Sequence, residues 1–239
     1  MTHMPADSPR RAVLIGLLVL VAATASAAVL VTSWRLSGDS GPAPGSTATP
    51  PPADDAAEAG PASSPGSAAP DPALAQDRDW EATIRTNHGT LRLALTGKAA
   101  PAAVANFVTL AQDGYFDDTT CHRLTTTGIF VLQCGDPTGT GRGGPGYSFG
   151  PVENAPADNV YPAGTLAMAR VGNDGYSNGS QFFIVYADSS IPADAAGGYT
   201  VFGRVDHGLD VVRGIAKGGL APDQTAPARA TVMEEVSVR

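Results

Sequence analysis

The chain has 239 residues and a formal charge of −8 at neutral pH. Three Arg and one Asp precede residue 38, six carboxylates and no base span 38–77, and 12 basic residues face 16 acidic ones after that. The last part holds no Lys/Arg stripe or cluster, which argues against a nucleic-acid partner, and its acidity serves solubility.

Residues 1–11 form a short tail ending in Arg10 and Arg11, followed by an uncharged, mostly apolar run from Ala12 to Val31 and then Trp34 and Arg35. Roughly 20 such residues suffice to cross a bilayer as a helix. The sequence therefore predicts a transmembrane signal anchor over 12–34, with Trp34 at the interface. By the positive-inside rule the tail is cytoplasmic and everything after residue 34 lies outside the plasma membrane in a single-pass arrangement. The competing reading is a signal peptide cleaved at Ala25-Ser26-Ala27, which gives a secreted protein. Residues 35–78 are rich in Pro, Ala, Ser and Gly and almost free of large apolar side chains. Such a stretch cannot bury enough surface to offset its ordering entropy, so a disordered linker with a reach on the order of 35 Å is expected. Arg outnumbers Lys (only Lys98 and Lys217), and with the Ala/Gly/Pro usage this suggests a bacterium with a GC-rich genome, in whose cell envelope the expected anchor would place the chain.

From residue 79 to 239 the pattern changes to short β-like runs. "WEATIRTN" and "TLRLALT" flank Asn87-His88-Gly89, a hairpin signal because Asn and Gly tolerate positive φ. Pro101 opens a helix whose apolar face is Val104, Phe107, Val108 and Ala111, with Gly114 as the stop. Further strands are expected near 119–124, 129–134, 165–171, 181–186, 200–205 and 231–238, and a second helix over 209–217. Eight strands and two helices suit a mainly β, closed, eight-stranded antiparallel barrel capped by the helices, since closure removes exposed sheet edges. Composition alone leaves a sandwich open.

Four segments carry the chemistry: "CHRLTTTGIFVLQCGD" (121–136), "GTLAMARVG" (164–172), "SNGSQFFIVY" (177–186) and "YTVFGRV" (199–205). In order and spacing they resemble the cyclophilin-type peptidyl-prolyl cis/trans isomerase family. The resemblance implies Arg123 as the catalytic arginine, with Gln133 and Phe130 beside it. Phe130, Val131 and Phe183 are then the walls for a substrate proline ring. Gln133 and Gln181 hydrogen-bond substrate backbone or position Arg123, and Ala169 and Arg170 border the groove. His122 is expected to be a structural hydrogen-bonding residue. The substrates implied are proline-containing polypeptides, and the protein is expected to be a monomer with no cofactor and no metal.

The chemistry fits those residue types. Rotation about a peptide bond meets a barrier of about 18–20 kcal/mol, and X-Pro bonds exchange over tens to hundreds of seconds unaided. No bond breaks, so no nucleophile is required. A permanently charged guanidinium can hydrogen-bond the prolyl nitrogen as it pyramidalises, which favours the transition state over the ground state. The alternative on the same fold is a module that binds proline segments or acts as a chaperone without turning them over.

The rim departs from the family pattern. Tyr199 stands where a His is common, Ile191 near the place of a common Trp, Val131 for a Met and Arg170 for an Asn. The extra charge of Arg170 predicts a preference for acidic residues near the substrate proline. Two additional residues lengthen the turn after Arg123. Cys121 and Cys134 fall on the two arms of one predicted hairpin, so they are either a disulfide, permitted in an oxidising compartment, or two small buried thiols.

Overall fold

The computed structural model describes residues 68–239; the tail, the anchor segment and most of the expected linker lie outside the described residues. The described part begins before the expected domain start at 79. Pro72–Ala75 form a short 3-10 helix capped by the Asp71 side chain. Ala75 is fully buried and its carbonyl accepts a hydrogen bond from the Trp80 indole at 2.9 Å, so this turn is packed onto the domain.

Strands β1 (Asp79–Thr86) and β2 (Gly89–Thr96) form the expected hairpin, with Thr86 opposite Gly89. Alternation sends Trp80, Ala82, Ile84, Leu91, Leu93 and Leu95 into the core. The turn uses Asn87 differently from expectation. Only Gly89 takes positive φ (138°), while the Asn87 side chain donates to the Ala230 carbonyl and accepts from the Val232 N–H, fastening the hairpin to the C-terminal strand.

Helix α1 (Pro101–Gln112) buries the expected face and also Ala103, Ala105, Asn106 and Leu110. Its first free N–H groups, at Ala102 and Ala103, each donate to the Glu153 carboxylate at 3.0 Å, so a distant residue caps the helix. Phe107 packs with Phe116, Phe182 and Phe202 at centroid distances of 5.1–5.5 Å, forming the centre of the core. The remaining elements are β3 (Thr119–Thr120), β4 (Arg123–Leu124), β5 (Val131–Cys134), β6 (Val160–Tyr161), β7 (Thr165–Met168), β8 (Phe182–Val185), β9 (Ser189–Ser190), β10 (Val201–His207), α2 (Leu209–Lys217) and β11 (Val232–Val238).

Nine strands form one curled antiparallel sheet in the order β3-β11-β1-β2-β10-β7-β8-β5-β4, with β6 and β9 as a separate pair. The expected strand at 119–124 is divided. β3 pairs with β11, the Cys121 N–H still reaches the Thr231 carbonyl, and from Arg123 onward the chain pairs with β5 instead. This change of partner breaks the ladder at Cys121–His122, so the hydrogen-bonded sheet runs from β3 round to β4 as a curled sheet with two helices. β7 and β8 are buried on both faces: one side meets the core, the other a second apolar cluster outside the sheet.

Candidate functional site

Strand alternation decides which side chains reach that outer cluster. Gln133 lies opposite Phe183, Val131 opposite Val185, and Ala167 opposite Phe183. Ile129, Val131 and Gln133 therefore share the outer face, while Phe130 and Leu132 belong to the core side. Around Val131, Tyr161, Ala167, Phe183, Val185 and Ile191 the outer cluster also gathers Ile129, Ala169 and Tyr199.

A cavity of about 270 Å³ opens into this cluster. Its apolar lining is Ile129, Val131, Ala169, Phe183, Ile191 and Tyr199, and its polar lining is Arg123, Gln133 and Arg170. Eight of the ten residues expected from the sequence to act on substrate thus come together. Phe130 does not. It packs with the core and meets the Tyr186 ring edge-on at 5.9 Å, and Ile129 takes its place in the cavity. The cause is the period of two along the strand: with Val131 facing the cavity, its neighbour must face away. Gln181 lines an adjoining cavity of about 430 Å³, which shares Gln133, Ala169 and Arg170 with the first and continues along Gly141–Pro145.

The two glutamines form a relay that ends on Arg123. Gln181 Nε2 donates to the carbonyls of Gly141 (3.0 Å) and Gly143 (2.8 Å), and its Oε1 accepts from Gln133 Nε2 (2.8 Å). Gln133 Oε1 then accepts from Arg123 Nη1 at 3.3 Å. Carbonyls only accept, so Gln181 must turn its NH₂ toward them, and each amide downstream is oriented in turn. Gln133 is thereby obliged to offer oxygen to the guanidinium. The far end is held by fully buried Asp136, which accepts from the N–H groups of Thr138, Gly141 and Gly143 and from the Thr138 hydroxyl. Burial alone raises the Asp136 pKa; those donors outweigh it and hold the group below its ordinary value. Gly135 ends β5 at φ 88°, where an added Cβ would lie 2.3 Å from the Ser180 carbonyl, so only glycine lets the two strands approach this closely.

Cys121 and Cys134 form a disulfide with Cα atoms 4.0 Å apart, tying the residue two before Arg123 to the residue after Gln133. His122 is buried, and neither ring nitrogen makes a well-formed hydrogen bond among the described residues, although the Gln181 side chain interacts with the ring. Burial pushes its pKa below the ordinary value and the Arg123 charge adds to this; Asp136 and the Gln181 side chain oppose it.

Arg170 also differs. Its side chain has no solvent exposure and makes a bidentate pair with Asp194 (2.8 and 3.0 Å). The positive charge is paired with the partly exposed Asp194 carboxylate rather than left free at the groove, which removes the basis for the preference for acidic substrates expected from its sequence position. Asp194 carried no signal in the sequence, since it lies 24 residues away in an Ala/Gly-rich loop.

The family model described as "Cyclophilin type peptidyl-prolyl cis-trans isomerase/CLD" matches residues 82–238. A "Probable peptidyl-prolyl cis-trans isomerase B" from Mycobacterium tuberculosis (strain ATCC 25618 / H37Rv) is 47% identical over 148 residues, covering 57% of this chain and 46% of that one. The chain spans about half the length of the mycobacterial relatives it matches. A "Peptidyl-prolyl cis-trans isomerase" from Helicobacter pylori is 42% identical over 141 residues, covering 58% of this chain and 82% of that one. Among solved structures, a Cryptosporidium parvum cyclophilin-type isomerase crystallised in the presence of the dipeptide Ala-Pro is similar, with a TM-score of 0.58 and 31% identity over 66% of this chain and 98% of that one.

Proposed function

The chain belongs to the cyclophilin-type peptidyl-prolyl cis-trans isomerase family, and from that premise we propose that it accelerates cis/trans exchange of X-Pro bonds in polypeptides. The observation that carries this reading is the Arg123 guanidinium, fixed by the Gln133 relay at the edge of an apolar cavity of about 270 Å³. The proline ring enters among Ile129, Val131 and Phe183 while the acyl side stays free to turn. Halfway through rotation the prolyl nitrogen recovers its lone pair, and Arg123 donates to it. That hydrogen bond is absent from the planar ground state, so its energy lowers the barrier rather than merely tightening binding. The Ala-Pro dipeptide named with the Cryptosporidium structure supports the same occupant for this cavity.

A donor made only in the transition state is worth about 2.7–4 kcal/mol, or roughly 100- to 1,000-fold in rate. Arg123→Ala is therefore expected to lose about that factor in exchange between cis and trans NMR signals of an X-Pro peptide, with the fold retained. Wild-type exchange in the variant refutes the mechanism, and peptide shifts without any enhanced exchange in the wild type make the domain a binding module instead.

The wider setting belongs to the same proposal. The protein is read as a plasma-membrane, single-pass monomer that assists folding of exported polypeptides, with residues 12–34 as anchor and the catalytic domain outside. The Arg10-Arg11 flank and the Cys121–Cys134 disulfide support this side of the membrane. Protease added to intact cells should remove the domain; full protection refutes the placement. The curled sheet is read as a closed eight-stranded barrel in which β3 and β4 act as one bent strand, supported by their separation of only two residues.

A further inference from the structure

All five N–H donors of Arg170 are occupied. Nε donates to the Gly198 carbonyl (3.0 Å), Nη1 to the Val171 carbonyl and Asp194 Oδ2 (both 3.0 Å), and Nη2 to Asp194 Oδ1 (2.8 Å) and the Gly197 carbonyl (2.7 Å). Asp194 is equally engaged: Oδ1 also accepts from the Ala196 N–H and Oδ2 from the Asn173 N–H. The guanidinium lies 4.7 Å from the centroid of the Tyr199 ring, which meets Phe183 edge-on at 5.5 Å. The Tyr199 N–H donates to the Tyr161 hydroxyl. The Arg170 side chain is wholly unexposed, so what this residue presents to the cavity is its backbone.

The pair is half-buried, the Arg170 side chain unexposed and the Asp194 side chain 29% exposed. Desolvating one partner offsets much of the attraction, so such a pair is weak evidence for a stability role. A planar fork that joins two loops and covers one aromatic face does something apolar side chains cannot: it fixes orientation.

We propose that Arg170 and Asp194 are positioning residues that pin loop 169–173 to loop 194–199 and hold the Tyr199 ring as a wall of the proline cavity. They thereby set affinity for the proline ring rather than the rate of turning it. This rests on the isomerase reading of the cavity.

The test uses the full chain, an X-Pro peptide, its dissociation constant from NMR titration, and KM and kcat from exchange. Arg170→Met and Tyr199→Leu are each expected to weaken binding and raise KM about five- to tenfold with kcat within about twofold. Because Arg170 acts through Tyr199, the double variant should be no worse than the poorer single. Additive losses, a fall in kcat at unchanged KM, or unchanged binding in Arg170→Met each overturn the proposal. If Arg170→Met leaves Asp194 unpaired and does not fold, Arg170→Met with Asp194→Leu removes the whole pair, and the same KM rise is required of it. Absence of exchange in the wild type counts against the isomerase reading, while the titration still decides the positioning role.

Discussion

Reduction of the Cys121–Cys134 disulfide should cost the domain measurable stability. The bridge closes a short loop, the two cysteines being 13 residues apart in sequence. In the chain-entropy account, cross-linking a loop of this size removes about 10 cal/mol/K from the unfolded chain, or about 3 kcal/mol at 25 °C. A domain of roughly 160 residues unfolds with an entropy of about 340 cal/mol/K, so that loss lowers Tm by about 9 °C. Both cysteines are buried, at 4% and 1% exposure, so reductant must be introduced by unfolding and refolding the protein in its presence. Thermal denaturation of oxidised and reduced wild type is the cleanest comparison, because no side-chain volume changes. Cys121→Ala with Cys134→Ala should fall at least as far. A Tm difference under about 2 °C would refute the loop argument, and two alkylated cysteines in unfolded, unreduced protein would refute the bridge itself.

Ile129→Ala should raise KM for an X-Pro peptide about tenfold, since truncating an aliphatic wall forfeits about 1.5 kcal/mol of contact with the ring. Phe130→Ala, on the opposite face, should leave KM within about twofold and lower unfolding free energy by about 2–3 kcal/mol; the reverse pattern would restore Phe130 to the cavity. Gln133→Leu cuts the relay at its middle and should lower kcat about tenfold with smaller change in KM, and unchanged kcat would show that Arg123 needs no such support. Arg170 and the N–H groups of Asn173 and Ala196 hold the Asp194 carboxylate well below the usual carboxylate range. A depressed folded pKa contributes stability that is full above the unfolded value near 3.9 and is lost progressively down to the lower folded value. In the folded protein the carboxylate, and with it the pair, stays charged until that lower value is reached. Peptide affinity should accordingly persist from pH 4 to about pH 3, and a loss of affinity with its midpoint near 4 would contradict the pairing.

Local signals carried much of this structure, and non-local ones account for what they missed. The 3.6 period and the flanking Pro101 and Gly114 placed α1, and 209–217 coincides with α2, because both helices are specified by their own residues. Pro72–Ala75 was hidden because its ordering comes from Ala75 burial and the Trp80 indole bond, not from its composition. Phe130 was misplaced although the correct answer lay in the sequence: alternation through Val131 and Gln133 selects Ile129. Arg170 was read by its charge alone, since nothing local shows that Asp194 will meet it. His122 is buried as a structural residue, with the Gln181 side chain against its ring and no well-formed hydrogen bond among the described residues.

Arg123 follows directly on Cys121–His122, where the chain passes from pairing with β11 to pairing with β5, and several restraints converge on it. β3 is tied to β11 and β4 to β5, and between them Cys121 is held by its N–H to the Thr231 carbonyl and by its disulfide to Cys134. A guanidinium that stabilises a transition state must already be in position, because reorganising it during rotation would consume the energy it supplies. The disulfide holds the chain on one side of Arg123, and the register with Gln133 holds it on the other. The relay to Gly141 and Gly143 then fixes the guanidinium from the cavity side. Loosening any single restraint should therefore lower kcat before it unfolds the domain, whereas loosening the Arg170–Asp194 pair should act on KM. On the proposed isomerase reading the relay acts on Arg123 and the Arg170–Asp194 pair on the pocket wall, and the two networks are joined where the Ala169 N–H donates to the Gln181 carbonyl at 2.9 Å.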